Sequence, residues 1–121
     1  SLPAMVKAVR IQEKARGVGF DWDDRKQVWE KVQEELEELK NEVKAGDKLK
    51  TEQEFGDLIF SLINYSRFIE VNPEDALERT NKKFIQRFQK MEAVLKKEEK
   101  DLSKMTLSEM DVYWERAKKT I

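Results

Sequence analysis

Residues 55–69 read FGDLIFSLINYSRFI, and residues 31–43, one short turn upstream, read KVQEELEELKNEV. The first stretch is apolar nearly all the way round in a chain of which 40% is charged, so it predicts a central helix, the most buried one. Asp57 sits inside it. An ionised carboxylate left unpaired in such a setting costs several kcal/mol, so it should be paired, hydrogen-bonded or bound to a cation. The second stretch belongs to a helix in which Trp29, Val32, Leu36, Leu39 and Val43 recur at alternating steps of three and four, the spacing of a bundle seam that faces inward. At about 100° per residue, Glu35 and Glu38 fall about 60° apart on one flank of that seam, Glu37 on the other, and Glu34 roughly opposite. Spacing alone leaves Glu34 with Glu38 as an equal pair, while Glu35 lies closest to the core.

Working outward, only four glycines and two prolines punctuate the chain, and with the capping residues they cut it into helices. A first helix over about Ala4 to Arg16 stops at Gly17 and leads into the loop GVGFDWDD, whose Asp23 or Asp24 caps a second helix over about Arg25 to Ala45. Gly46 ends that helix, and Thr51 with Glu54 forms a candidate capping box for the third, which runs to about Val71. Asn72 as cap and Pro73 at the first helical position open a fourth helix to about Lys100, and Thr106 with Glu109 is a second candidate box before a last helix over about Leu107 to Lys119. No strand alternation, repeat, low-complexity tract or interdomain linker interrupts this pattern. The fold expected is all-α, a four-helix-bundle-like arrangement with an extra C-terminal helix, in one domain over residues 1–121.

Composition narrows the chemistry. At 121 residues the chain is one domain's worth of protein. Its 24 basic and 25 acidic side chains balance, which implies neither a nucleic-acid groove nor a membrane surface. There is no apolar run of membrane-spanning length and no signal-peptide pattern, so the location expected is the cytoplasm. Cysteine and histidine are both absent, which removes disulfides, thiolate zinc sites, the usual general base and the commonest transition-metal ligand. Any chemistry runs on carboxylates, lysine, arginine and bound water.

If the second and third helices are antiparallel neighbours across their short turn, the Glu35 and Glu38 flank faces a row formed by Glu54, Asp57, Ser61 and Asn64. Hard oxygen ligands in that number suit Mg²⁺ or Mn²⁺, ions that keep open positions for water and phosphate oxygens. Plain alternatives stand beside this reading. The glutamates can pair with Lys31, Lys40 and Lys44 on a solvated face, Glu54 can serve only as the box partner of Thr51, and a lysine or arginine can neutralise Asp57.

EELEE followed by EFGD, residues 34–38 and 54–57, fits an EExxE…ExxD pattern and resembles the MazG-like all-α nucleoside triphosphate pyrophosphohydrolases. This group is itself similar to the dimeric dUTPases and the phosphoribosyl-ATP pyrophosphohydrolases. LPAMVKAVRIQEKARGVGFDW, GDLIFSLINYSR, NKKFIQRF and YWERAKK resemble successive blocks of the same domain, so the likeness covers nearly the whole chain. The resemblance implies that Glu35, Glu38, Glu54 and Asp57 hold Mg²⁺, with Mn²⁺ as a substitute and Glu34 as an alternate ligand. It also implies that Lys83 and Arg87, four residues apart on one helix face, grip the triphosphate and neutralise charge as the anhydride breaks. Trp114 and Lys118 would act over the nucleotide end, and Gln12, Phe20, Trp22 and Asp23 match positions that line the site. For Lys83 and Arg87 the plain alternative is a solvated basic face. For Trp114 it is a docking anchor in the seam Leu107, Met110, Trp114, Ala117 and Ile121.

The reaction so implied is attack of a water, oriented or deprotonated by one carboxylate, on the α–β anhydride of a nucleoside triphosphate. It yields the monophosphate and pyrophosphate without a covalent intermediate. The partners implied are the nucleotide and a second copy of the chain in a homodimer or higher homo-oligomer, with no nucleic acid and no membrane. Rival readings are a narrower enzyme for dUTP, dCTP or phosphoribosyl-ATP, and a non-catalytic helical dimer of the same fold. Ser1 stands where an initiating methionine would, which fits a processed or excised chain and leaves room for a tandem domain.

Overall fold

A computed structural model describes residues 2–21 and 24–119. It is all-α, with no strand among the described residues: α1 Ala4–Gly17, α2 Arg25–Ala45, α3 Lys48–Phe68, α4 Pro73–Lys97, a 3₁₀ turn at Leu102–Lys104, and α5 Leu107–Lys119. These elements form two compact units, Ser1–Glu74 and Asp75–Ile121.

In the first unit α2 and α3 make an antiparallel hairpin. Trp29, near the start of α2, packs at 5.0 Å and a tilt of 49° against Tyr65, near the end of α3, while Glu35 and Glu38 meet Glu54 near the beginning of α3. The turn between the helices is two residues long in backbone terms. Gly46 takes a left-handed conformation, φ 76°, and its N–H returns to the carbonyls of Glu42 and Val43, which glycine does without steric cost. Asp47 follows at once as the cap of α3, accepting the Lys50 N–H at 3.0 Å, while the Thr51 hydroxyl donates to the Asp47 carbonyl at 2.7 Å. The expected box of Thr51 with Glu54 therefore does not form, and α3 begins at Lys48. The reason is local: the glycine reverses the chain so tightly that the next residue, an aspartate, is already in capping position. Glu54 is left available for another partner.

At the other end of the hairpin, Asp24 caps α2 by accepting the Gln27 N–H at 2.9 Å. Its expected alternative, Asp23, lies outside the described residues, as does Trp22. Helix α1 runs through Gly17, and it is Gly19, φ 88°, that turns the chain, with Phe20 N–H closing back on the Ala15 carbonyl at 3.0 Å. α1 packs on α3, and the Gln12 Nε2 donates to the Phe60 carbonyl at 3.0 Å.

The burial of this unit refines two expectations. The inward seam of α2 keeps Val32 as expected, with Leu39 half-buried, but its other buried members are Val28 and Glu35, whereas Trp29, Leu36 and Val43 are exposed. Helix α3 is the most buried helix, as expected, but not on every side: Ser61, Ile63 and Ser66 are inside, whereas Phe55 is 54% exposed and Ile59, Phe60 and Leu62 also face water. Within the first unit α1 and α2 pack on it, and a helix that is apolar all round needs cover on more sides than two neighbours provide. The two buried serines are satisfied within their own helix, Ser61 Oγ on the Leu58 carbonyl at 2.8 Å and Ser66 Oγ on the Ile63 carbonyl at 2.6 Å. Their small side chains permit close packing at no hydrogen-bonding cost.

The second unit is built on Met91 and Leu95 of α4 against Tyr113 and Ala117 of α5, with Phe88, Val94, Leu102, Met105 and Trp114 packed around them. Helix α4 starts at Pro73 as expected but stops at Lys97, short of Lys100. Glu99 adopts a left-handed φ of 56°, and Lys100 N–H bonds the Leu95 carbonyl at 2.9 Å, so the helix closes in a Schellman turn. The box at α5 forms as predicted: Thr106 N–H to Glu109 Oε1 at 3.1 Å and Glu109 N–H to Thr106 Oγ1 at 3.2 Å. Those bonds hold the Glu109 carboxyl below the usual glutamate range. The expected seam of α5 holds at Met110, Trp114 and Ala117, while Leu107 is 81% exposed and Tyr113 joins the core beside the seam. Ile121 lies outside the described residues.

Candidate functional site

Three carboxylates converge where the middle of α2 faces the first turns of α3. Glu35, Glu38 and Glu54 each offer an oxygen within 4.8 Å of the others. Glu35 is 5% exposed, placed inside because the seam of α2 runs through it. Lys31, one turn earlier, donates to Glu35 Oε1 at 2.9 Å and lies 3.4 Å from Glu34 Oε2. The bond from Glu35 is the main reason that the Lys31 ammonium titrates above the usual lysine range. Glu34 thus stays at the surface with Lys31, and the geometry resolves the choice that spacing left open. Lys40 pairs with Glu37, at 3.8 Å.

Lysine pairing therefore explains part of the acidic clump and not its centre. Glu35 Oε2 and Glu54 Oε2 are buried and have no hydrogen-bond partner. Buried carboxylate oxygens without a donor are costly, and like charges packed together raise the cost. The Glu54 carboxyl shows the effect, pushed up to about 7 by withdrawal from water, by its hydrogen bond with Glu38, and by the charges of Glu38, Asp57 and Glu35. An all-oxygen donor set with unmatched buried lone pairs fits a hard divalent cation.

Asp57 lies one turn beyond Glu54 but outside the converging group, and its side chain is exposed. The expectation that it is buried in an apolar setting is corrected: α1 and α2, the other helices of the first unit, leave the face of α3 that carries it exposed. The rest of its row parts company with the carboxylates as well. Ser61 is bonded to its own helix, and Asn64 Oδ1 accepts from Arg67.

Lys83 and Arg87 lie on α4 in the second unit. Lys83 is exposed, and the half-buried Arg87 has its Nε without a partner. Trp114 packs at 5.0 Å on Phe84 at the edge of the unit's core, which bears out its anchoring position, and Lys118 is exposed on α5. Sequence reasoning missed Asp21 and Arg67. Arg67 donates to both carboxylate oxygens of Asp21, at 3.1 and 2.9 Å, across 46 positions of sequence, a separation over which no local signal exists.

Residues 24–92 match the MazG nucleotide pyrophosphohydrolase domain, a span that contains the three converging carboxylates together with Asp57, Lys83 and Arg87. The chain belongs to the MazG family. It is 49% identical over 117 residues to the nucleoside triphosphate pyrophosphohydrolase/pyrophosphatase MazG of Thermotoga maritima, covering 97% of this chain and 45% of that protein. It is 35% identical over 121 residues to the nucleoside triphosphate pyrophosphohydrolase of Escherichia coli K12, covering 98% of this chain and 46% of that protein. A shorter match, 46% identical over 67 residues, is to the uncharacterized protein YabN of Bacillus subtilis, covering 55% of this chain and 14% of that protein. This MazG chain thus spans a little under half the length of the two relatives that it matches from end to end. Among the described residues no helix is long and apolar enough to cross a membrane.

Proposed function

We propose that this MazG domain hydrolyses nucleoside triphosphates at the α–β anhydride to a nucleoside monophosphate and pyrophosphate, acting in the cytoplasm. It would use a divalent cation, Mg²⁺ with Mn²⁺ as a substitute, held by Glu35, Glu38 and Glu54 with Asp57 completing the set. The observation that carries the reading is the pair of buried, unpartnered oxygens on Glu35 and Glu54 within a three-carboxylate group. The names of the two long relatives supply the reaction class.

When bound, the cation supplies positive charge for phosphate oxygens and a bound water of lowered pKa. The chain's own residues do the rest. Glu35 is fixed in place by Lys31, so its free oxygen is presented without a search over rotamers. Glu38 and Glu54 bring carboxylate oxygens within 4.8 Å of each other, so the proton released when water attacks phosphorus has a carboxylate pair to receive it. Lys83 and Arg87 are proposed to neutralise charge on the departing pyrophosphate, and Trp114 and Lys118 to act at the nucleotide end. The exposed apolar residues of α2 and α3 support a homodimer, in which a second copy would cover Trp29, Leu36, Phe55 and Ile59.

Product analysis tests the reading. With Mg²⁺ and a panel of the common NTPs and dNTPs, the domain should release pyrophosphate rather than inorganic phosphate. Turnover of many bases fits a broad enzyme, and one reactive base would point to a narrow specificity. No turnover with Mg²⁺ or Mn²⁺ would overturn the assignment in favour of a non-catalytic helical relative.

A further inference from the structure

Phe84 follows Lys83 on α4 and is 56% exposed. The core of the second unit closes without it, on Met91, Leu95, Tyr113 and Ala117. Its ring is nevertheless held on two sides. It stacks on Phe88, one turn later, with centroids 6.2 Å and planes 13° apart, and it leans on Trp114 of α5 at 5.0 Å and a tilt of 45°. Offset and tilted arrangements at such separations are the ones that ring quadrupoles favour. Phe88 and Trp114 both border the core, so Phe84 is the outermost of three rings that begin in the interior and end in water.

Helical geometry sets this group beside the cations. At about 100° per residue, Lys83 and Arg87 form one row along α4, and Phe84 with Phe88 forms a second row about 100° further round. Arg87 falls between the rows, about 60° from Phe84. It is half-buried, with its Nε lacking a partner. The half-buried Trp114 indole is thus brought to the margin of the basic row by its contact with Phe84. That ring contributes little to the core by its own burial. What it supplies is a wall against one face of the indole, which narrows the orientations open to Trp114.

We propose that Phe84 is a positioning residue: by bracing the Trp114 indole it sets the spacing between the cation pair that grips the phosphates and the aromatic that meets the nucleotide end. Its effect falls on nucleotide affinity, passes through Trp114, and leaves phosphate binding by Lys83 and Arg87 alone. The inference rests on the reading that this domain binds nucleoside triphosphates with those residues.

The test is calorimetric binding of ATP and, separately, of inorganic tripolyphosphate to the Mg²⁺-loaded chain, alongside steady-state turnover of ATP. Phe84→Leu and Phe84→Met each remove the ring and keep an apolar, helix-forming side chain. Both should weaken ATP binding and raise KM about tenfold, with kcat and the tripolyphosphate affinity unchanged. Phe84→Tyr keeps the ring and should bind ATP as wild type does. Trp114→Leu should weaken ATP binding at least as much as Phe84→Leu, and the double variant should bind no more weakly than Trp114→Leu alone. Melting curves confirm that each variant is folded. Unchanged ATP affinity in folded Phe84→Leu and Phe84→Met, an equal loss for ATP and tripolyphosphate, or additive losses in the double variant overturns the positioning role. A Trp114→Leu chain with wild-type ATP affinity overturns the nucleotide-end assignment and the role of Phe84 with it. Wild type that binds ATP without turning it over overturns the proposed reaction alone, and the binding comparisons still decide for or against Phe84. Wild type that binds no nucleotide overturns both.

Discussion

Glu54 is where the charge of the site is felt most directly. Its carboxyl titrates at about 7 rather than 4.5 because it is withdrawn from water and set beside Glu38, Asp57 and Glu35. For an acid whose folded pKa is raised, the folded state binds the proton more tightly than the unfolded chain. The cation-free protein therefore loses stability as pH rises from 4.5 to about 7. Melting temperatures in chelator should fall across that window, and Glu54→Gln should flatten the fall; an unaltered slope would assign it to another group. Added Mg²⁺ should raise the melting temperature of wild type above that window and raise it less in Glu35→Gln. Asp57 behaves differently because it is exposed. Asp57→Asn should change stability by less than about 0.5 kcal/mol while lowering Mg²⁺-dependent turnover by about 10²-fold; full activity would remove Asp57 from the ligand set. The four carboxylates were legible in the sequence through helical spacing and motif. What spacing did not reveal is that Glu34 belongs to Lys31, that Glu54 is released from capping by Asp47, and that Asp57 is exposed, since each depends on neighbours brought in from outside its own turn of helix.

At the scale of elements, the stop and start signals explain most helix ends, and two of them can be measured. The Thr106 and Glu109 box closes both of its bonds, so Thr106→Ala should cost about 1 kcal/mol in urea unfolding, with a neutral result showing that α5 is set by packing alone. Glu99 occupies a left-handed position, φ 56°, that glycine fills without a Cβ penalty. Glu99→Gly should stabilise the second unit by about 1 kcal/mol, and a loss of stability would mean that the glutamate side chain holds the turn. Where expectations moved, the competing signal was stronger and closer. Asp47 preceded Thr51, and Gly19 rather than Gly17 supplied the turn. On α2 the inward face turned toward Val28 and Glu35 while keeping Val32, because a seam of alternating threes and fours has two apolar edges and only the packing partner selects between them.

At the scale of the whole molecule, the apolar surface of the α2 and α3 hairpin is the main unbalanced term. Phe55, Ile59 and Leu62 of α3 and Leu36 of α2 are exposed in the single chain, an apolar surface of the kind that a second copy covers. Light scattering of wild type should report a dimer whose melting temperature rises with protein concentration. Phe55→Glu should give a monomer of lower stability with the same helical content. A wild-type monomer at all concentrations would sink the dimer, and a variant that stays dimeric would place the interface elsewhere.

The sequence by itself determined that the chain is helical, where its helices begin and end to within a few residues, and that neither histidine nor cysteine is available to its chemistry. Those properties follow from local rules: period, capping, turn residues and the absence of two side-chain types. Only the tertiary structure decided which glutamates converge, which oxygens are left without a donor, that Arg67 reaches Asp21, and which side of each amphipathic helix is inside. These are relations between side chains distant in sequence, and their energies depend on burial and on partners, which no single helix contains.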